Sequence, residues 1–242
     1  MSLKFGLNLE FLMFKKIIKK AFFAGGYNVV KIQEPDPILL WDTDAYFLSI
    51  REKIKDHTIV DAQRCFILYQ LAKNSANIIG DVAEIGVYKG GTAKLLSLVL
   101  SEVEGKQIHL CDTFEGMPDV DPVKDMHRKG DFNDTSEEAV REFLMDCKNV
   151  VMHKGFFPET AYKAKLEEKV FAFVHVDVDI YKSVMDCCEF FYPRMPVSAV
   201  MVFDDYGALD CPGARKAVDD FFADKVETPI YLPSGQCVVA KK

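Results

Sequence analysis

From about residue 80 onward, short apolar runs alternate with stretches of helical length. The runs cover 81–85, 107–111, 150–153, 170–178 and 199–203, and helices are predicted near 91–102, 135–147, 159–168, 182–192 and 213–224. Neighbouring parallel strands need a long crossover between them, and a helix supplies it. The alternation therefore predicts an α/β fold, a mostly parallel sheet covered by helices on both faces. The last stretch departs from this rhythm: 229–232 and 236–240 read as strands joined only by Pro233-Ser234-Gly235. So short a link demands an antiparallel hairpin. No internal repeat is visible.

Upstream, Gly25-Gly26 ends a first segment, Pro35 and Pro37 break the next, and 43–55 and 59–73 read as helices. Residues 1–24 carry a net charge of +4, which leaves −11 on the remainder. Phe11, Phe14, Ile18 and Phe22 fall on one helical face. That stripe suits docking on the body or on a second copy in a homo-oligomer; the alternative is a helix lying on an anionic membrane surface. The expected division is an N-terminal helical extension over 1–56 and a ligand-binding domain over 57–242.

Composition narrows the function classes. A net charge of −7 disfavours a nucleic-acid partner, which requires basic surface. No apolar run reaches the 18 residues of a membrane span, and the lysine pairs that interrupt the N-terminal stretch argue against a secretory signal. Seven cysteines show no CxxC spacing, so reduced thiols and a cytoplasmic location are expected, with Cys187-Cys188 as helix packing.

In open α/β sheets ligands bind beyond the carboxyl ends of the strands. Here those ends carry Glu84, Asp112, Asp177, Asp179, Asp204 and Asp205. The first turn runs from Glu84 through Gly86, Gly90 and Gly91 to Thr92; it lacks both the GK[ST] of a phosphate loop and the GxGxxG of dinucleotide binders. A tight turn with no ligand is the bland alternative. Asp112, followed by Thr113, stands 28 residues after Glu84, placed to accept ribose hydroxyls. NAD would use the same acid, and a helix cap would look alike. Phe114 or Phe156 could stack on a base.

In His175-Val176-Asp177-Val178-Asp179, strand alternation would put the histidine and both acids on one side. Asp204-Asp205-Tyr206-Gly207 ends the next strand. Four carboxylates in one small volume repel each other unless some take up protons or a divalent cation joins them. Oxygen ligands favour Mg²⁺, with Mn²⁺ or Ca²⁺ as alternatives, over zinc. Asp179 is a candidate general base, with His175 and His153 as rivals. Residues 116–136 are polar and lack regular patterning, as active-site lids often do.

Taken together, the turn from Glu84 to Thr92, Asp112-Thr113-Phe114-Glu115-Gly116-Met117-Pro118, Gly155-Phe156-Phe157-Pro158-Glu159-Thr160, His175–Tyr181 with Ser183, Asp204–Gly207 and Arg215-Lys216-Ala217-Val218 resemble the macrocin (mycinamicin) O-methyltransferase family. The resemblance spans about residue 57 to the C-terminus. It implies a Rossmann-like class I methyltransferase sheet and a metal-assisted enzyme that uses S-adenosylmethionine (SAM) to methylate a hydroxylated small molecule, often a sugar on a natural product. It further implies that Asp177, Asp204 and Asp205 hold Mg²⁺, that Asp179 is the general base, and that Glu84, Gly86 and Asp112 line the SAM site. Gly90, Thr92, Thr113, Phe156 and Asp177 complete the expected cofactor contacts. The segment Asp210-Cys211-Pro212-Gly213-Ala214 departs from the family pattern. The rivals are a metal-dependent glycosyltransferase using Asp177 and Asp179 as a DxD, an NAD-dependent oxidoreductase and a non-catalytic scaffold.

Overall fold

The computed structural model describes residues 38–242 without a break and, before them, residues 16, 18, 20 and 23–26. Of the N-terminal apolar stripe, Ile18 is exposed, whereas Phe11, Phe14 and Phe22 lie outside the described residues, and with them the expected docking or oligomerisation role. The chain divides into two compact units, Met1–Leu39 and Leu40–Lys242.

In the second unit, helices α1 (Ala45–Ile54) and α2 (Ala62–Ser75) start on aspartate caps. Asp44 accepts the Phe47 N–H at 2.9 Å and Asp61 accepts the Arg64 N–H at 3.0 Å, each satisfying an amide the first turn leaves free. Phe47, Ile50 and Ile54 of α1 are buried in the same core as the sheet residues Val82, Leu110 and Phe173. The unit boundary thus lies at 39/40, upstream of the 56/57 division that the motifs suggest, because α1 buries its apolar face within the body.

Then follow β1 (Asp81–Ile85), α3 (Gly91–Val99), β2 (Ile108–Asp112), α4 (Glu137–Phe143), β3 (Val150–Lys154), α5 (Glu159–Lys163), β4 (Phe171–Val176), α6 (Tyr181–Phe191), β5 (Val200–Phe203), α7 (Pro212–Phe222), β6 (Ile230–Tyr231) and β7 (Cys237–Ala240). The seven strands form one sheet in the order β3-β2-β1-β4-β5-β7-β6. The first five are parallel, and β7 runs antiparallel to both β5 and β6. The expected α/β sheet with its terminal hairpin is therefore present.

Alternate strand residues feed two cores. Ala83, Ile85, Val174, Val176 and Phe203 pack on one face with α6 and α7; Val82, Leu110, Phe173 and Val202 pack on the other with α1, α2 and α3. Burial on both faces explains why these strands read as near-continuous apolar runs. Cys187 and Cys188 are buried in the first core as packing residues. Among the described residues, no helix is long and apolar enough to cross a membrane.

One strand end differs from expectation. β4 stops at Val176, short of residue 178. Asp177 still donates its N–H to Ile85 O at 2.9 Å, but Asp179 has a φ of +58°. That left-handed residue turns the chain into α6, so the strand alternation that would align His175, Asp177 and Asp179 does not reach Asp179. Aspartate tolerates this conformation better than most residues.

Candidate active site

β1, β2, β4 and β5 end along one edge, and the strand order reverses between β1 and β4. Ligands bind at such a reversal because the flanking loops part there. A cleft of about 1090 Å³, open mouth included, occupies this place. Gly86 forms its floor with a φ of +84°, and a side chain on it would collide with the Asp177 carbonyl oxygen. Only glycine lets the ends of β1 and β4 approach so closely.

Across the floor from β4, Asp112 organises the glycine turn. Its Oδ2 accepts the Val87 N–H at 2.6 Å and the Tyr88 N–H at 3.0 Å, and its Oδ1 accepts the Phe114 N–H at 2.7 Å. Oδ1 keeps a lone pair for a ligand hydroxyl. Thr92, Thr113 and Phe156 also line the cleft. Phe156 is 39% exposed while Phe114 is buried, so of the two rings only Phe156 offers an open face. Two expected cofactor residues stand elsewhere. Gly90 begins α3 against Val140 of α4, with a φ of +85°. Glu84 is fully buried behind the cleft wall, where its Oε1 meets His175 Nδ1 at 2.8 Å. The pleat explains this: Glu84 and His175 are paired in register and point beneath α2, not toward the open edge.

The opposite wall carries the acids. Asp177, Asp179, Asp204 and Asp205 all line the cleft. Burial, reinforced by the charge on Asp204, pushes the Asp177 carboxyl well above the usual carboxylate range. Burial does the same to Asp205, helped by Asp179 and Asp177, and raises Asp179 despite the pull of His127. Asp204 behaves differently. Burial alone would raise it, but His175, whose Nε2 stands 3.5 Å from Oδ1, and the Arg64 guanidinium outweigh burial and hold it low. Its Oδ2 pairs with Arg64 and its Oδ1 accepts from Gln236 Nε2 at 2.7 Å. Asp204 is therefore not the bare carboxylate that its place at a strand end suggests. His175, fully buried, is drawn well above its ordinary value: burial opposes the charge, but Asp204 and Glu84 overcome it. A buried residue so engaged is no free base, and the rival His153 lies on β3 with its Nε2 3.0 Å from His109 Nδ1.

The donor chemistry suits a divalent cation. Asp177 accepts no hydrogen bond among the described residues, Asp205 accepts one, from the Asp179 N–H at 3.1 Å, and Glu84 Oε2 is buried without a partner. Arg64 and His175 do not balance all of these acids, and the donors of Asp177 and Asp205 that line the cleft are oxygens.

Sequence reasoning missed several participants. Arg64 reaches Asp204 from 140 residues away, and Gln236 arrives from the terminal hairpin. His127 of the 116–136 segment approaches Asp179, its Nε2 lying 3.9 Å from Oδ1. None had a local signal; Asp61 three residues before Arg64 marks only a helix start.

Comparisons with known proteins bear on this geometry. The family model described as macrocin O-methyltransferase matches residues 54–242. Demethyldecarbamoylnovobiocin O-methyltransferase of Streptomyces niveus is 30% identical over 183 residues, covering 69% of this chain and 68% of that protein. An 8-demethyl-8-(2,3-dimethoxy-α-L-rhamnosyl)-tetracenomycin-C 4′-O-methyltransferase of Streptomyces olivaceus is 28% identical over 225 residues, covering 86% and 82%. Among solved structures, the O-methyltransferase NovP superposes with a TM-score of 0.68 at 26% identity, over 77% of this chain and 82% of that one.

Proposed function

The chain belongs to the macrocin O-methyltransferase family and is a SAM-dependent O-methyltransferase; on that premise we propose that it methylates a hydroxyl of a sugar or glycosylated natural product with the aid of a divalent cation. The supporting observation is the cleft at the strand-order reversal, with Asp112 on one side and the under-compensated Asp177, Asp179 and Asp205 on the other. By their names, one curated relative acts on demethyldecarbamoylnovobiocin and the other on a rhamnosyl-bearing tetracenomycin C.

SAM carries a sulfonium, so an acidic wall favours it over a neutral ligand. Asp112 takes the ribose hydroxyls, Phe156 stacks on the adenine, and the Gly86 turn lets the backbone approach. Asp177, Asp204 and Asp205 are the residues that would hold Mg²⁺ or Mn²⁺. Such an ion supplies Lewis acidity that makes an acceptor hydroxyl easier to ionise. Asp179 Oδ1 receives the hydroxyl proton; burial raises its proton affinity above that of a free carboxylate. Methyl transfer is an in-line displacement, so the acceptor oxygen has to be held in line with the methyl group. The 116–136 segment contributes Met117 and Phe132 to the cleft and is tied down where Asp125 Oδ1 accepts the Tyr181 N–H at 2.8 Å. We assign it the role of a cover that excludes water over the acceptor.

The Arg64–Asp204 ion pair supports one second reading, in which the guanidinium supplies the positive charge and no cation is needed. Turnover assays on EDTA-treated enzyme with SAM and a panel of deoxysugar glycosides separate the two. The metal-assisted reading predicts loss of methyl transfer and recovery with Mg²⁺. Undiminished turnover after chelation would reject it in favour of Arg64, and methylation of amines but not hydroxyls would reject the acceptor class.

A further inference from the structure

Beyond the oxygen-rich wall, a chemically different cluster gathers around the far side of Asp179. His127 comes from the 116–136 segment and Cys211 from the start of α7, in the stretch that departs from the family pattern. Cys211 Sγ lies 3.4 Å from Asp179 Oδ1 and 3.5 Å from His127 Nε2, and the third side of the triangle, Nε2 to Oδ1, is 3.9 Å. These three atoms lie within 4.8 Å of one another. A tetrahedral zinc ion with bonds of about 2.3 Å to sulfur and about 2.0 Å to nitrogen and oxygen sets its ligands roughly 3.3–3.6 Å apart. Two sides of the triangle already match, and the third needs to close by only about 0.5 Å.

The surroundings are also those of a metal site. His127 Nδ1 lies 3.3 Å from Asp131 Oδ2, and Asp131 is itself held by the Arg128 N–H at 2.8 Å. A carboxylate on Nδ1 fixes the tautomer that leaves the Nε2 lone pair free, the arrangement that orients metal-bound histidines. Asp179 is held in its left-handed conformation, which aims its carboxylate away from the strand line and toward the cysteine. Strain of this kind concentrates where geometry serves function. Asp210 Oδ1, 3.8 Å from the sulfur, is within reach as a fourth ligand.

We propose that His127, Asp179 and Cys211 form a binding site for a thiophilic divalent ion of the zinc type, distinct from the oxygen set of Asp177, Asp204 and Asp205. Sulfur and imidazole select zinc over magnesium, and three protein ligands leave a position for water or substrate. As the sulfur–metal bond forms, the Cys211 Sγ–H proton leaves to solvent. An ion seated here occupies Asp179 Oδ1, so zinc inhibits methyl transfer without displacing magnesium. Binding stands on the geometry alone; the inhibitory consequence rests on the role given to Asp179.

The test is a cadmium titration of the EDTA-treated, reduced full-length chain in the presence of excess Mg²⁺, read by the ultraviolet charge-transfer band of cadmium–thiolate bonds. One equivalent of cadmium is expected to develop the band. Cys211→Ser should abolish it, whereas Cys147→Ser, which removes the half-exposed thiol, should retain it. Asp131→Asn, which leaves all three ligands in place, should weaken binding about 10- to 100-fold. It also decides the matter should the Cys211 variant fold poorly. No band in the native chain, or a band unchanged in the Cys211 and Asp131 variants, overturns the site. Zinc inhibition at matching concentrations supports the full proposal. Saturable binding without inhibition upholds the site and overturns the role of Asp179 as proton acceptor.

Discussion

Asp112 shows how one side chain links turn to ligand. It binds three backbone amides of the loops that shape the cofactor floor. Asp112→Asn replaces one charged acceptor oxygen by a donor facing N–H groups. Hydrogen bonds to charged groups contribute about 1.5–3 kcal/mol, so S-adenosylhomocysteine should bind about 10- to 100-fold more weakly, as calorimetry would show. Unchanged affinity would remove Asp112 from the cofactor site. A second residue-scale prediction concerns His153. Burial, then the charges of His109 and Lys169, lower its pKa from 6.5 to about 4. The ring stands close to a second imidazole, with His153 Nε2 3.0 Å from His109 Nδ1, and His109 Nε2 in turn stands 3.0 Å from Asp81 Oδ2. Because the fold favours the neutral ring, this stabilisation is full above pH 6.5 and is lost as pH falls towards 4. Urea midpoints should fall over that window, and His153→Gln should flatten part of the slope. A mutant as pH-sensitive as the native chain would contradict the assignment.

At the scale of elements, α1 and the 116–136 segment carry opposite lessons. The sequence places α1 in an appendage because no motif lies on it, yet Phe47 is fully buried against Phe66 and Tyr69, with ring centroids 5.0 and 5.5 Å away. Phe47→Ala should cost about 3–5 kcal/mol in the unfolding of the body. A change below about 0.5 kcal/mol would mean that α1 is dispensable. The 116–136 segment has no regular element and is nevertheless anchored, since Asp125 caps the first turn of α6. Asp125→Ala should cost about 1 kcal/mol and speed proteolytic nicking within 116–136. Nicking at the native rate would argue against the anchor. The strands were legible from their apolar runs, since burial on both faces leaves little choice of residue. The end of β4 was not, because Asp177-Val178-Asp179 imitates strand alternation and nothing local announces the left-handed turn at Asp179.

For the whole molecule, the order of the strands decides what meets what. It brings the ends of β1, β2, β4 and β5 to one edge, and so makes a single cleft from acids that lie as far apart in the chain as Asp112 and Asp205. That convergence could be read from the sequence because ligand position follows from sheet topology. The compensating groups could not. Arg64 and Gln236 reach Asp204 through packing of α2 and the hairpin over the sheet, and such contacts leave no periodic trace. The same packing buries Glu84 and His175 as a polar pair beneath α2, where the strand-end pattern had suggested a cofactor contact. The net result is a cleft with more negative than positive charge, suited to a sulfonium and to one further cation. The most direct measurement is a calorimetric titration of Mg²⁺ into the chain saturated with S-adenosylhomocysteine. The account predicts one ion per chain, with binding lost in Asp177→Asn while the cofactor product stays bound. No Mg²⁺ heat in the native complex, together with full turnover after EDTA, would contradict it.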